Sequence, residues 1–219
     1  MSATIPLAVL ADVYGFLGNS LLKPMTQTAA VGIDPTFWKS FPGFGDQSVG
    51  EAVAECARYA EQAAAQGEDA VERAAVEYTR LFVGPPSPAA APWETLYRSA
   101  DATVGFGEPT FEMKRILREA GLELQNENRQ YEDHMGIELL YLSTRCAALA
   151  GSVGGAAAVG GDELDPSELL DFIDRHPLAW IGAFRARVAQ AYPDGYFAAL
   201  LGLAESVLAW HANVLRSRG

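Results

Sequence analysis

Apolar side chains recur every three or four positions along most of the chain, a spacing that places them on one face of an α-helix. Glycine and proline cluster between these stretches, and there is no internal repeat and no convincing β-type alternation. The pattern predicts an all-α fold of roughly eight to ten helices in one domain over residues 1–219. The longer predicted helices span residues 5–22, 48–66, 68–83, 108–120, 131–150, 165–176, 181–191 and 196–211.

Two helix starts carry capping signals. Asp34 precedes Pro35, which predicts a short helix with Asp34 as its N-cap. Ser48 is followed three residues later by Glu51, which predicts a capping box at the start of the next helix.

The helix predicted over residues 131–150 has two apolar faces, so it should pack on more than one side. Its first turn is polar and contains Glu132, Asp133 and His134. Acidic side chains suit this turn, because its free N–H groups and the helix dipole favour negative charge. We therefore expect Asp133 and His134 at an exposed rim, with little of either side chain buried. A plain helix cap beside a surface histidine is the commoner explanation of such a turn.

Two segments interrupt the helical pattern. The first is a proline-rich loop over residues 84–93, whose prolines exclude helix and central strand and favour an extended path. It ends in Trp93, and a long loop with an aromatic end is typical of a functional segment docked on the body of the protein. The second is a Gly/Ala linker over residues 151–161. We expect both to be the most mobile internal parts of the chain.

The formal net charge of −12 argues against nucleic-acid binding, which needs a basic surface, and suits a neutral or basic partner. The two cysteines, Cys56 and Cys146, lie within helical patterns and are expected to be buried free thiols of a reducing compartment. The N-terminus lacks the features of a secretion signal, and no uncharged apolar run is long enough to span a membrane. We therefore expect a cytoplasmic protein without stable membrane insertion.

Catalytic chemistry has little support in the sequence. No phosphate-binding loop is present, and no nucleophile with a recognisable motif accompanies Asp133 and His134. His134 and Glu138 stand four residues apart and could share a metal, but no Glu-x-x-His pair occurs to complete a di-iron site. We therefore expect a protein that is not an enzyme and has no catalytic residue, no metal and no cofactor.

Three motifs in order carry a family resemblance. They are Tyr78 to Pro85 (YTRLFVGP), Pro92 to Tyr97 (PWETLY) and Tyr131 to Leu139 (YEDHMGIEL). Together they resemble the TorD/DmsD/NarJ family of cytoplasmic chaperones for bacterial molybdenum-containing oxidoreductases. The resemblance extends over about residues 78–210, and the first 75 or so residues match only in helical style.

The resemblance implies a TorD-like helical domain that binds the twin-arginine signal peptide of its client. In addition to the signal peptide, or in its place, the chaperone is expected to bind the apo form of the client's catalytic subunit. Binding would assist cofactor loading and delay export. Residues of the family's peptide-binding surface match eight positions here, namely Tyr78, Leu81, Phe82, Pro92, Trp93, Glu94, Asp133 and His134.

Reasoning from residue types leads to the same segments. A twin-arginine leader is a short basic segment followed by an apolar one, so its binder needs an apolar groove with carboxylates at one end. Leu81, Phe82 and Trp93 could line the groove. Glu94, Asp133 and Glu138 could bind arginine, whose planar guanidinium donates two hydrogen bonds to a carboxylate. Leu81 and Phe82 are explained almost as well as ordinary core residues.

Two other classes of function stay open. One is a NarJ-like assembly chaperone for a molybdoenzyme subunit that is not exported. The other, less favoured, is a helical metal- or nucleotide-binding enzyme. The sequence does not distinguish a monomer from a homodimer.

Overall fold

The computed structural model describes residues 5–67, 69–98, 105–124, 130–153 and 166–218. The prediction of an all-α fold is confirmed, because the elements in these residues are helices and none is a strand. The α-helices are α1 Leu7–Leu22, α2 Pro35–Lys39, α3 Gln47–Ala65, α4 Ala70–Tyr78, α5 Thr95–Arg98, α6 Glu108–Glu119, α7 Met135–Val153, α8 Pro166–Arg175, α9 Pro177–Ala191 and α10 Tyr196–Arg216. A π-helical turn, Thr79–Val83, extends α4, and two short 3₁₀ segments, Met25–Gln27 and Ala30–Ile33, precede α2.

Three helix starts can be compared with the sequence prediction, and one agrees with it while two differ. Asp34 caps α2 as predicted, since its Oδ1 accepts a hydrogen bond from Thr36 N at 2.8 Å. The Ser48 capping box is wrong, because Asp46 Oδ1 accepts from Val49 N at 3.0 Å and α3 begins before Ser48. Helix α7 begins at Met135 and not near residue 131, because the residues before it form a turn and a β-type bridge.

The chain divides into two compact units. Unit 1 consists of Met1–Leu22, Trp93–Ala179 and Ala212–Gly219, and unit 2 consists of Lys23–Pro92 and Trp180–His211. The expected single domain over residues 1–219 stays a prediction.

The core of unit 1 is built on close packing of α1 against α7. Gly18 and Gly136 face each other so closely that a Cβ on Gly18 would lie 2.7 Å from the carbonyl oxygen of Gly136. A hydrogen bond also joins the two helices, because Ser143 Oγ of α7 donates to the carbonyl oxygen of Ala11 of α1 at 2.7 Å. The close approach at Gly136 fixes the start of α7. The polar residues Glu132, Asp133 and His134 directly precede this start.

The core of unit 2 is rich in aromatic side chains. The Phe82 ring contacts Phe184 and Phe197 with centroids 5.8 and 5.0 Å apart. Glu77 is buried beside them and caps α10, because its carboxylate accepts from the N–H groups of Tyr196 and Phe197, each at 3.0 Å. Burial raises the pKa of Glu77, and the two backbone hydrogen bonds oppose that rise.

The proline-rich loop packs more closely at its end than its composition indicates. Ala89 N and Ala90 N donate to the carbonyls of Arg80 and Leu81 at 3.1 and 2.8 Å. Ala90, Ala91 and Pro92 are buried. In the Gly/Ala linker, Gly151–Val153 belong to α7 and the rest lies outside the described residues.

Both cysteines are free and buried, as expected, and burial raises the pKa of each thiol to about 12. Among the described helices, Tyr196–Arg216 is long and apolar enough to cross a membrane by length and composition. Some 61% of its apolar window is buried inside the protein, which is also the property of a core helix.

Candidate functional site

A single antiparallel bridge joins the end of the proline-rich loop to the segment before α7. Trp93 pairs with His134 in this bridge, and Glu94 N donates to the carbonyl of Asp133 at 2.9 Å. Trp93 and the polar turn, which are far apart in sequence, therefore meet within unit 1. Five predicted site residues lie there, namely Trp93, Glu94, Asp133, His134 and Glu138.

Asp133 joins three elements of unit 1 through its carboxylate. Its Oδ2 accepts from Thr95 N at 3.0 Å and from Thr95 Oγ1 at 2.6 Å, and its Oδ1 accepts from Thr110 Oγ1 at 3.0 Å. All three side chains are buried. Burial raises the pKa of Asp133, and these hydrogen bonds oppose the rise. The expected exposed rim is therefore wrong for Asp133, because its carboxylate is used to attach α5 and α6 to the start of α7.

His134 is also fully buried, so the rim is wrong for it as well. Its carbonyl accepts the first hydrogen bonds of α7, and its Nδ1 accepts from Gly136 N at 2.9 Å. An Nδ1 that accepts assigns the ring proton of the neutral imidazole to Nε2. Burial lowers the pKa of His134 to about 3, which keeps the ring neutral. The Nε2 atom is buried and has no hydrogen-bond partner among the described residues.

Glu94 is fully buried and binds a guanidinium and an imidazole. Its Oε1 accepts from Arg98 Nη1 at 2.6 Å, and its Oε2 lies 3.0 Å from His176 Nδ1. The same Arg98 nitrogen donates to the carbonyl of Arg175 at 3.1 Å. The hydrogen bond to Glu94 raises the pKa of Arg98, and the charge of the buried Glu138 adds to that rise. Glu94 therefore already binds one guanidinium from the protein's own chain.

Trp93 is half-buried and lies behind exposed aromatic residues. Its ring packs against the backbone of Gly105, where a Cβ would lie 2.6 Å from the indole. The ring of Tyr131 meets it edge-on, with centroids 5.6 Å apart. The indole Nε1 is buried and has no acceptor among the described residues. Trp93 Nε1 and His134 Nε2 are thus two buried N–H donors, on residues paired in one bridge, with no acceptor in the part of the protein that the structure describes.

The other four predicted residues lie in unit 2 and are buried there, namely Tyr78, Leu81, Phe82 and Pro92. Tyr78 contacts Phe82 edge-on at 5.2 Å and belongs to the same aromatic core. Their assignment to a binding surface stays a prediction, and their packing is that of core residues.

Sequence reasoning missed several residues that organise the site. Thr95 and Thr110 hold Asp133, and His176 holds Glu94. The contact between Arg98 and Glu94 could have been predicted, because the two residues are four apart and side chains at this spacing are neighbours on a helix. No local sequence pattern indicates Thr95, Thr110 or His176, because their partners lie 23 to 82 residues away in sequence.

Unit 2 contains an open cleft of about 430 Å³ lined by α3, α9 and the start of α10. Its two arginines are already paired, Arg58 with Glu55 and Arg185 with Glu205. Three carboxylates of the lining, those of Glu51, Glu55 and Asp194, make it acidic. In the described ranges, no three His, Cys, Asp or Glu side chains come close enough to hold a metal ion.

The all-helical fold and the three motifs along the chain define the class as the TorD/DmsD/NarJ type of helical protein. The chain belongs to the family described as nitrate reductase delta subunit, which matches residues 45–186. The family resemblance drawn from the motifs is therefore confirmed.

Two relatives from other bacteria each match more than half of the chain. Chaperone protein TorD of Vibrio cholerae serotype O1 (strain M66-2) is 28% identical over 137 residues, which is 63% of this chain and 60% of the relative. Chaperone protein TorD of Shewanella pealeana (strain ATCC 700345 / ANG-SQ1) is 26% identical over 164 residues, which is 72% of this chain and 67% of the relative. The chain thus spans 60% of the length of the Vibrio relative.

Proposed function

We propose that the protein is a cytoplasmic chaperone for a molybdenum-containing oxidoreductase and has no catalytic activity of its own. It binds the twin-arginine signal peptide of the client, the apo form of its catalytic subunit, or both, and delays export until the cofactor is loaded. Family membership and relatives named chaperone protein TorD support this proposal. The net charge of −12 suits a basic leader.

The observation that carries the proposal is the pair of buried donors at Trp93 Nε1 and His134 Nε2. A buried N–H group without an acceptor costs about 1–3 kcal/mol, so a folded protein keeps one where something else supplies the acceptor. Main-chain carbonyls of a bound peptide would supply both acceptors when binding moves aside the residues that cover the two donors. His134 remains a neutral donor across the physiological pH range, because the pKa of its buried ring is about 3.

The arginines of the leader need a carboxylate, and Glu94 already binds one guanidinium. The Arg98 side chain is partly exposed, whereas Glu94 is fully buried. We propose that a client arginine displaces Arg98 and takes over its hydrogen bonds to Glu94 Oε1 and the Arg175 carbonyl. Asp133 is a weaker candidate for this contact, since both of its oxygens accept hydrogen bonds from threonines.

Replacing both arginines of a twin-arginine leader with lysine should weaken binding by about 1–3 kcal/mol, because a lysine ammonium lacks the planar fork of a guanidinium. Binding of the arginine leader should also weaken as salt rises, because part of the attraction is between opposite charges. Calorimetric titration of both peptides at low and high salt measures the two effects.

The matched chaperone variant is Arg98→Gln, which removes the competing guanidinium. We expect it to bind the arginine leader more tightly than the wild type does. Equal affinities for the arginine and lysine leaders at every salt concentration would contradict an arginine site at Glu94. Co-purification of the protein with an enzyme subunit that has no twin-arginine leader would instead favour the NarJ-like function.

A further inference from the structure

Three exposed aromatic side chains of unit 1 form one continuous patch. The exposed fraction is 40% for Phe106, 58% for Phe111 and 38% for Tyr131. Among the described residues, the other large apolar side chains that are exposed are valines. The ring centroids of Phe106 lie 5.0 Å from Phe111 and 5.5 Å from Tyr131. Single exposed apolar residues are ordinary, but a contiguous group marks an interaction surface. We call these three residues the aromatic patch.

One residue of the aromatic patch lies in a helix, and a second lies near the bridge to Trp93. Phe111 lies in the first turns of α6, whose start is attached to Asp133 through the hydrogen bond from Thr110. Tyr131 lies just before the Trp93–His134 bridge. Phe111 is therefore already placed by its helix, which lowers the entropic cost of ordering this side chain when a partner binds.

The aromatic patch is continuous with the two unsatisfied donors. Tyr131 contacts the Trp93 ring, whose buried Nε1 has no acceptor among the described residues. Trp93 directly precedes Glu94 in the chain. A peptide with one arginine on Glu94 would thus pass Trp93, where a main-chain carbonyl can accept from Nε1, and reach the exposed rings.

A charged pair borders the aromatic patch. The Lys114 ammonium lies 5.4 Å from the centroid of the Phe106 ring and 3.6 Å from Glu132. An apolar centre with a polar border is the usual composition of a protein interface. A second copy of this chain is a poor occupant, because each copy carries a net charge of −12 and two copies repel. A basic leader with an apolar segment has the complementary charge.

We propose that the aromatic patch of Phe106, Phe111 and Tyr131 binds the apolar segment that follows the two arginines of the client's leader. This inference rests on the proposed function and extends its site to three residues that are not among the eight peptide-binding positions implied by the family resemblance. In this arrangement Glu94 binds the arginine, Trp93 and His134 bind main-chain carbonyls, and the aromatic patch binds the apolar side chains.

The test compares Phe111→Ser with the matched control Val76→Ser. Val76 is 51% exposed on α4 in unit 2, so both substitutions remove an exposed apolar side chain and should leave the fold intact. Phe111→Ser should bind a full twin-arginine leader about tenfold more weakly than wild type, as expected for an aromatic anchor. Val76→Ser should bind it as wild type does. Phe106→Ser is a second variant in the aromatic patch and should weaken binding in the same direction.

A second peptide separates this inference from the proposed function. In that peptide both arginines are kept and the apolar segment is replaced by serine and glutamine. It should bind the wild type and Phe111→Ser equally. If both patch variants bind the full leader as tightly as wild type, the docking surface is overturned while the proposed function stands. If those variants instead lose self-association in sedimentation, the patch joins copies of the chain and the inference is again overturned. A wild-type protein that binds no leader would overturn both proposals.

Discussion

Replacing Asp133 with alanine is expected to lower the free energy of unfolding by about 3–5 kcal/mol. The substitution leaves one buried N–H group and two buried hydroxyls, on Thr95 and Thr110, without their acceptor. Each such group costs about 1–3 kcal/mol. The change also releases α5 and α6 from the start of α7. Chemical denaturation of the purified variant measures the loss.

Two further substitutions serve as controls for this result. Asp133→Asn keeps one carbonyl acceptor and should cost less than half as much as alanine. Asp171→Ala removes an exposed carboxylate whose partner, Arg175, is also exposed, and should cost less than about 0.5 kcal/mol. A loss of only about 1 kcal/mol for Asp133→Ala would mean that the carboxylate acts as an exposed helix cap.

Acidification from pH 7 to pH 4.5 is expected to remove about 2–3 kcal/mol of stability through His134 alone. The pKa of its buried ring is about 3 in the folded protein, below the ordinary value of 6.5. A lowered histidine pKa favours the folded state above pH 6.5, and this contribution is lost as the unfolded chain takes up a proton below that pH. Asp133 acts in the opposite direction, because a raised carboxyl pKa stabilises the folded state as pH falls.

The variant His134→Asn isolates the histidine contribution. Asparagine retains a side-chain acceptor at the start of α7 and does not titrate. The stability difference between wild type and His134→Asn should therefore shrink by about 2–3 kcal/mol between pH 7 and pH 4.5. A difference that stays constant over this range would show that the ring is accessible to protons in the folded state.

The helices and their order could be predicted from the sequence because they depend on local spacing. Apolar periodicity placed α1, α6 and α10 within a few residues of their observed bounds. Asp34 capped its helix as predicted, because a cap acts over two or three residues. The start of α3 was less predictable, since Asp46 and Ser48 are both good caps and the side chain that reaches Val49 N decides between them.

The burial of Asp133 and His134 could not be predicted, because it depends on residues distant in sequence. Thr95 lies 38 residues before Asp133 and still provides two of its three hydrogen bonds. The polar residues before α7 were expected to cap it or face solvent. The bridge to Trp93 instead turns them inward, where they hold other elements.

The predicted aromatic groove illustrates the same limit. The sequence predicts both Phe82 and Trp93 as groove residues, although Phe82 is explained almost as well as a core residue. In the structure, Phe82 packs within the aromatic core of unit 2, whereas Trp93 lies half-buried beside the exposed Tyr131. Burial separates a core ring from an accessible one, and residue type carries no such information.

The buried polar groups of unit 1 give Asp133 and His134 different roles. Asp133 is fully used in holding Thr95 and Thr110, so in the proposed site it would position other residues and would not contact the leader. His134 holds α7 through Nδ1 and retains a donor at Nε2. Binding measurements on Asp133→Ala should therefore be corrected for the unfolded fraction, since the variant loses stability first.

The most direct test of leader binding is the indole N–H resonance of Trp93 during titration with a twin-arginine leader. On binding, Trp93 Nε1 gains an acceptor, so its proton resonance should move downfield. Trp38 is the internal control, because its Nε1 already donates to the carbonyl of Gly32 at 2.9 Å and should not move. A Trp93→Phe variant assigns the signal. A Trp93 resonance that stays in place at saturating leader would contradict a leader site at Trp93 and His134.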